Sequence, residues 1–194
     1  MADAVPDQTE TELWLVRHGQ TEWSREGRHT SVTDVPLTEP GVAVASTLAE
    51  RLDGLEFGLV LTSPRQRARR TAELAGFPGA RVDPDLVEWD YGAYEGLTTD
   101  QIREAVPGWT VWTHPCPGGE TAEQVAARLD RVVAEVRACG GRALVFGHGH
   151  ALRALAARWV DRPASDGQLF RLDTATVSTL GYEREAPVVL RWNG

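Results

Sequence analysis

Leu13-Trp14-Leu15-Val16-Arg17-His18-Gly19 is the stretch on which the fold turns. Its apolar run reads as a short strand buried on both faces. The run stops abruptly, so a cation, an imidazole and a glycine follow directly on the strand's carboxyl end. Two other stretches repeat the arrangement. Leu59-Val60-Leu61 runs into Thr62-Ser63-Pro64-Arg65-Gln66-Arg67, and Ala143-Leu144-Val145-Phe146 runs into Gly147-His148-Gly149-His150. Amphipathic segments lie between them. Thr38 predicts an N-cap with Pro40 in the first turn, and Gly41, Ala45, Leu48 and Leu52 recur at helical spacing. Ser63 and Pro64 read as N-cap and first residue of a helix to about Ala75. Thr121 and Gln124 form a capping-box pair ahead of Val125, Leu129, Val132, Val133 and Val136, and a helix after His148 turns Leu152, Leu155 and Trp159 inward. From Gln168 onward, alternation with β-branched residues predicts two or three closing strands.

Buried strands alternating with amphipathic helices predict an α/β domain, a three-layer α/β/α sandwich around a mostly parallel sheet. Sites in such sheets form at the carboxyl ends of the strands. Three separated segments therefore deliver histidine and arginine to one edge. The stretch at about 84–118 differs from the rest. It holds Pro84, Pro107, Pro115 and Pro117 and the tryptophans at 89, 109 and 112. Thr98 and Gln101 mark one short helix within it. It is too short to own a core, so it is expected to be an insertion lying as a lid over the site. Residues 1–194 are read as a single domain, with 1–11 a loose polar tail.

Composition excludes several classes. The 194 residues carry a formal net charge of −8, which gives no electrostatic reason to expect nucleic acid or an anionic membrane as partner. All twenty basic residues are arginine. A P-loop lysine and a Schiff-base lysine are thereby excluded, and an anionic substrate can meet only the planar fork of arginine. Cys116 and Cys139 are too few for a disulfide framework, and neither is followed by an arginine at phosphate-loop spacing. No apolar run is long enough to span a bilayer, and the N-terminus lacks the pattern of a signal peptide, so a cytoplasmic enzyme is expected.

Arg17-His18-Gly19 alone is weak evidence of chemistry. His148 strengthens it, standing in the same kind of place between two glycines, with the N–H groups of the next helix offered to an anion. Gly147-His148-Gly149 also opens like a dinucleotide fingerprint, but Leu152 stands where its third glycine belongs. Two of the five histidines, His148 and His150, stand close enough in sequence to suggest a metal site, yet the chain has no HExxH-like spacing.

The order of motifs decides among these readings. Leu15-Val16-Arg17-His18-Gly19-Gln20-Thr21-Glu22-Trp23-Ser24 resembles the opening motif of the histidine phosphatase superfamily, which includes phosphoglycerate mutases and many small-molecule phosphatases. Asp34-Val35-Pro36-Leu37-Thr38, Thr62 to Ala68, Glu88-Trp89-Asp90-Tyr91-Gly92, Glu95-Gly96-Leu97, Gly118-Gly119-Glu120-Thr121 and His148 to Arg153 follow in the family's order. The likeness covers about residues 13–160.

The resemblance implies that His18 is a nucleophile that becomes a phosphohistidine, its other ring nitrogen donating to a backbone carbonyl. It implies that Arg17, Arg67 and His148 surround the phosphoryl group. Glu88 would donate the proton to the leaving oxygen and later activate water, a role assisted by burial beside Trp89 and Tyr91. Thr21, Ser24, Thr30 and the backbone of Ser31 would complete the phosphate pocket, with Tyr91, Gly149 and His150 on the substrate's side. Ser24 and Ser31 depart from the asparagine and glycine of many relatives. Arg65 is implied to flank the site, the family arginine falling at Arg67. His150 stands where mutases have asparagine; substrate contact and packing both stay open for it. No cofactor and no metal are implied, and a homodimer is left open.

Mutases hold substrate with a lysine and an arginine pair. Thr99 takes the lysine position here and the lid lacks the pair. A phosphatase is thus favoured over a mutase-type phosphotransferase. A non-catalytic phospho-ligand binder is disfavoured by the presence of Arg17, His18, Arg67, Glu88 and His148. Thr21-Glu22-Trp23-Ser24, Gly27-Arg28-His29-Thr30, Glu88 to Leu97 and Trp112 to Cys116 are similar to two branches, the mycobacterial acid phosphatases and the fungal sedoheptulose-1,7-bisphosphatases. Both imply a small phosphorylated metabolite, sugar phosphates among the candidates, with the tryptophan-rich lid selecting it.

Overall fold

The apolar runs form the centre of one six-stranded sheet. The computed structural model describes residues 10–194, with β1 at Glu12–Arg17, β2 at Leu59–Thr62, β3 at Arg81–Val82, β4 at Arg142–Gly147, β5 at Val177–Glu183 and β6 at Ala186–Arg191. The spatial order is β3-β2-β4-β1-β5-β6. The first four strands are parallel; β5 and β6 return antiparallel on the side of β1. The predicted closing strands therefore exist, but they start at Val177. Gln168 lies instead in a 3₁₀ turn at Ala164–Leu169. Most of the expected loose tail, residues 1–9, lies outside the described residues. Thr11 is no tail residue: it is buried where the chain enters β1.

Alternation along the strands sorts the core into two layers. Leu13, Leu15, Leu61, Ala143 and Val145 face one side, where they meet α6 (Ala122–Ala138) and α7 (Gly149–Trp159). Val16, Leu144 and Phe146 face the other, against α2 (Glu39–Ser46), α3 (Leu48–Leu52) and α4 (Gln66–Leu74). This is the expected three-layer arrangement. The single helix read from Gly41 to Leu52 is broken at Thr47, whose hydroxyl donates to the Val44 carbonyl at 2.8 Å. Gly41 is fixed by close approach as well as by spacing: a Cβ there would stand 2.1 Å from the Gln20 carbonyl oxygen, in the loop that carries His18. α1 (Glu22–Glu26) is the short helix that follows that loop.

The stretch 84–118 is built into the first layer. Leu86, Trp89, Tyr91, Ile102, Trp109, Val111 and Cys116 join the same buried cluster as the sheet and α6. Its one α-helix, α5 (Thr99–Ala105), begins with the expected capping box of Thr98 and Gln101. Trp89 and Trp109 are sealed inside and donate to the carbonyls of Glu120 and Pro115. These two tryptophans therefore hold the segment down and are not turned to a substrate. Among the described residues, no helix is long and apolar enough to cross a membrane.

Candidate active site

Strand register brings the three strand ends together. Arg17 pairs with Gly147 and Thr62 with Phe146, so the residues just beyond, His18, His148 and Ser63, leave the sheet side by side. The ladder continues one step past the strands: the His18 N–H donates to the Gly147 carbonyl and the Ser63 N–H to that of Phe146, each at 3.0 Å. The rings of His18 and His148 meet edge to face, 5.2 Å between centroids.

His18 is 5% exposed, and its Nδ1 lies 2.7 Å from the Gly19 carbonyl oxygen. A carbonyl can only accept, so Nδ1 carries the proton and Nε2 keeps its lone pair. Burial holds the ring's pKa well below 6.5, with Arg67 and Arg17 pushing the same way. At pH 6, ¹⁵N spectra of the His18 ring should therefore show a neutral imidazole protonated on Nδ1; a doubly protonated ring at that pH would refute the assignment.

Arg17 lies over the start of α7. Gly149 permits this, since a Cβ there would stand 3.3 Å from the guanidinium. One terminal nitrogen of Arg17 donates to the Leu172 carbonyl at 2.6 Å, while Nε is buried without a partner among the described residues. Arg67 comes from the first turn of α4 and is 0% exposed. Its Nε donates to His148 Nδ1 at 3.2 Å, and its terminal nitrogens donate to the carbonyls of Thr33, Thr30 and Ser31 at 3.0, 3.1 and 3.4 Å. His148 Nε2 lies 2.7 Å from Ser63 Oγ. With Nδ1 accepting, Nε2 donates. Ser63 is thus no helix cap; α4 starts after Arg65, and the serine hydroxyl is turned to the histidine instead.

Glu88 is 6% exposed and reaches the site from the segment before α5. Its carboxylate accepts from the N–H groups of Trp89, Ala151 and His150 at 2.9, 2.8 and 3.1 Å. The last two belong to the first turn of α7, whose N-cap position, His148, makes no side-chain cap. The helix N–H groups expected to await an anion are therefore occupied by Glu88.

A cavity of about 240 Å³ opens at this edge. Of the residues expected around substrate, Arg17, His18, Thr21, Ser24, Thr30, Glu88, Tyr91, Gly149 and His150 line it. Arg67 and His148 do not; they stand behind His18 with their polar atoms turned to each other, to Ser63 and to the 30–33 loop. Ser31 is also drawn away. Its N–H and hydroxyl both donate to the Glu95 carboxylate, at 2.9 and 2.6 Å to Oε2. The expected backbone donor to phosphate is spent on this brace. The Ser24 hydroxyl, although at the cavity, closes a capping box with Thr21.

Gly27, Arg28, His29 and Thr99 line the cavity as well, and the sequence did not mark them as site residues. Gly27 to His29 belonged to a recognisable block of likeness, but nothing in that block told which way the loop faces. Glu95 was also missed as the residue that clasps Ser31 and Thr33. Burial raises its pKa, but hydrogen bonds from Ser31 and Thr33 outweigh that, so it is lowered overall.

The family model described as "Histidine phosphatase superfamily (branch 1)" matches residues 13–194. This chain belongs to the histidine phosphatase superfamily. As a histidine phosphatase it is a phosphomonoester-cleaving enzyme by family, and its fold agrees. Among its relatives, an acid phosphatase of Mycobacterium tuberculosis is 46% identical over 175 residues, covering 88% of this chain and 86% of that protein. A sedoheptulose 1,7-bisphosphatase of Saccharomyces cerevisiae is 38% identical, over 75% of this chain and 66% of that one. The solved structure of a Mycobacterium tuberculosis open reading frame superimposes on this histidine phosphatase with a TM-score of 0.90 at 43% identity, covering 94% of this chain and 97% of that chain.

Proposed function

We propose that the chain hydrolyses phosphomonoesters of small metabolites, sugar phosphates among them, through a phosphohistidine on His18. The observation that carries this reading is the His18 Nδ1 contact with the Gly19 carbonyl, which leaves Nε2 as a nucleophile in a cavity shared with Arg17 and Glu88. In the first step the Nε2 lone pair forms a bond to phosphorus as the ester P–O bond breaks. Glu88 gives its proton to the departing alkoxide. In the second step the Glu88 carboxylate takes a proton from water, whose oxygen displaces His18 and releases inorganic phosphate. Arg17, at the cavity wall, donates to the phosphoryl oxygens from the terminal nitrogen that Leu172 does not take. Arg67 and His148 act from behind: Arg67 adds to burial in keeping His18 uncharged and ties down the loop, and His148 fixes the arginine. Thr21, Thr30, Tyr91 and Gly149 shape the remaining wall, with Ser24 at its rim.

A mutase requires cations that retain substrate between two transfers. In the 84–118 segment the lone arginine, Arg103, is engaged with the Trp109 carbonyl, and Thr99 lines the cavity. Hydrolysis is the better supported outcome. No metal enters the scheme. His148 and His150 have their Nδ1 atoms committed to Arg67 and Tyr91, an arrangement that favours hydrogen bonding over ligation.

Rapid acid-free quenching during turnover of a sugar phosphate should trap one phosphoryl group per chain, seen by ³¹P NMR as a phosphoramidate. Activity should be unchanged after exhaustive EDTA treatment. No trapped phosphohistidine, or loss on chelation restored by zinc, would overturn the mechanism.

A further inference from the structure

His29 is a polar side chain in an aromatic box. Its ring packs against Tyr91 at 4.7 Å and Trp109 at 5.1 Å between centroids, and lies nearly parallel to His150 at 5.8 Å. It is 8% exposed, and that exposure is to the cavity that holds His18. Among the described residues its ring has one weak hydrogen-bond partner: Nε2 lies 3.3 Å from Oγ1 of Thr99, which also lines the cavity. Nδ1 makes no hydrogen bond among the described residues. A phenylalanine would fill the same box, so what the imidazole adds is a polar ring edge at the cavity. A ligand with hydroxyl groups can complete its hydrogen bonding there.

The chemistry of that ligand follows from the neighbours. Tyr91 Oη lies 2.6 Å from His150 Nδ1. Burial, with Glu88 nearby, keeps the phenol protonated, so the pair shares a hydrogen bond between two uncharged groups and leaves His150 Nε2 free to meet a ligand. Burial also holds both imidazoles uncharged, His29 down at about 4 and His150 well below 6.5. A wall of two neutral imidazoles and a threonine hydroxyl offers both donors and acceptors but no charge. It matches vicinal hydroxyl groups, and the neighbouring cation at the cavity, Arg28, is paired with Glu26 at 2.6 Å.

We infer that His29 is a specificity-determining residue that hydrogen-bonds hydroxyl groups on the alcohol side of the scissile ester, in concert with Thr99 and His150. The inference rests on the phosphatase reading above and deepens it to a polyhydroxylated leaving group.

The test compares a hexose 6-phosphate with cyclohexylmethyl phosphate, an ester of similar size without hydroxyls, in wild type, His29→Phe and His29→Gln. His29→Phe should lower the ratio of kcat/KM for the sugar ester over the hydroxyl-free ester by about five- to tenfold, the size of one neutral hydrogen bond. His29→Gln, which keeps a donor and an acceptor, should recover a large part of the ratio. An unchanged ratio in His29→Phe, an equal fall for both esters, or a glutamine variant no better than phenylalanine overturns the inference while leaving the phosphatase reading intact. A wild type that cleaves neither ester sinks that reading, and this inference with it.

Discussion

Alanine in place of His18 should lower kcat by about 10⁴-fold or more, because no other group can take up the phosphoryl group. The geometry makes this a clean experiment. His18 is buried at a strand end, and its contacts are one bond to Gly19 and an edge against His148. Truncation leaves a small polar hollow that opens on the cavity, so water can fill it and the fold should survive. Thermal unfolding would check that. The loss should also be partly chemical to repair. Imidazole added at high concentration can enter the hollow and serve as a diffusible nucleophile, restoring a measurable part of turnover. A His18→Ala enzyme that keeps wild-type rates removes the nucleophile from the mechanism. One that is inactive, folded and indifferent to imidazole argues for a positioning role in its place.

Arg67→Met should have the largest effect on stability. Methionine roughly fills the volume but carries none of the donors. Four acceptors, His148 Nδ1 and the carbonyls of Thr30, Ser31 and Thr33, would be left without their arginine. Stranding buried polar groups of this kind costs about 3–5 kcal/mol, and for a chain of this size roughly 2–4 °C of Tm per kcal/mol. Chemical denaturation would measure it directly. Activity should fall as well, and with a signature. Arg67 is among the charges that hold His18 unprotonated. Without it the His18 pKa rises, so activity is lost at a higher pH as the solution is acidified. Arg67→Lys should rescue little, because one ammonium cannot serve Nε and both terminal nitrogens' partners at once. A lysine variant of normal stability and pH profile would show that the fork geometry does not matter.

The strands were legible because β1, β2 and β4 are short apolar runs with abrupt ends, and their register then brings His18, Ser63 and His148 together with little further freedom. The helix starts at Thr38, Thr98 and Thr121 were legible for a local reason too: each cap is made within a few residues. What stayed hidden depends on long-range partners. Ser63 followed by proline looks like a cap, and only its contact with His148, 85 residues away, shows otherwise. Ser31 looks like a phosphate donor until Glu95, 64 residues on, is seen to occupy it. Glu88 could be picked out by its motif, but its grip on the first turn of α7 could not. The orientation of His29 follows from aromatic packing that no periodicity records.

The position of β1 has a bearing on how the enzyme comes into being. The strand that carries the nucleophile is made well before its two neighbours, β4 and β5, whose residues follow more than a hundred positions later. It cannot find both until β5 has left the ribosome. Pairings of such sequence separation are slow to close and expose apolar edges meanwhile. A nascent chain stalled before β4 would carry His18 and Arg67 but no sheet to set them in. Phosphatase activity should therefore switch on all at once when β4 and β5 have emerged, and a growing chain would be chemically silent until then.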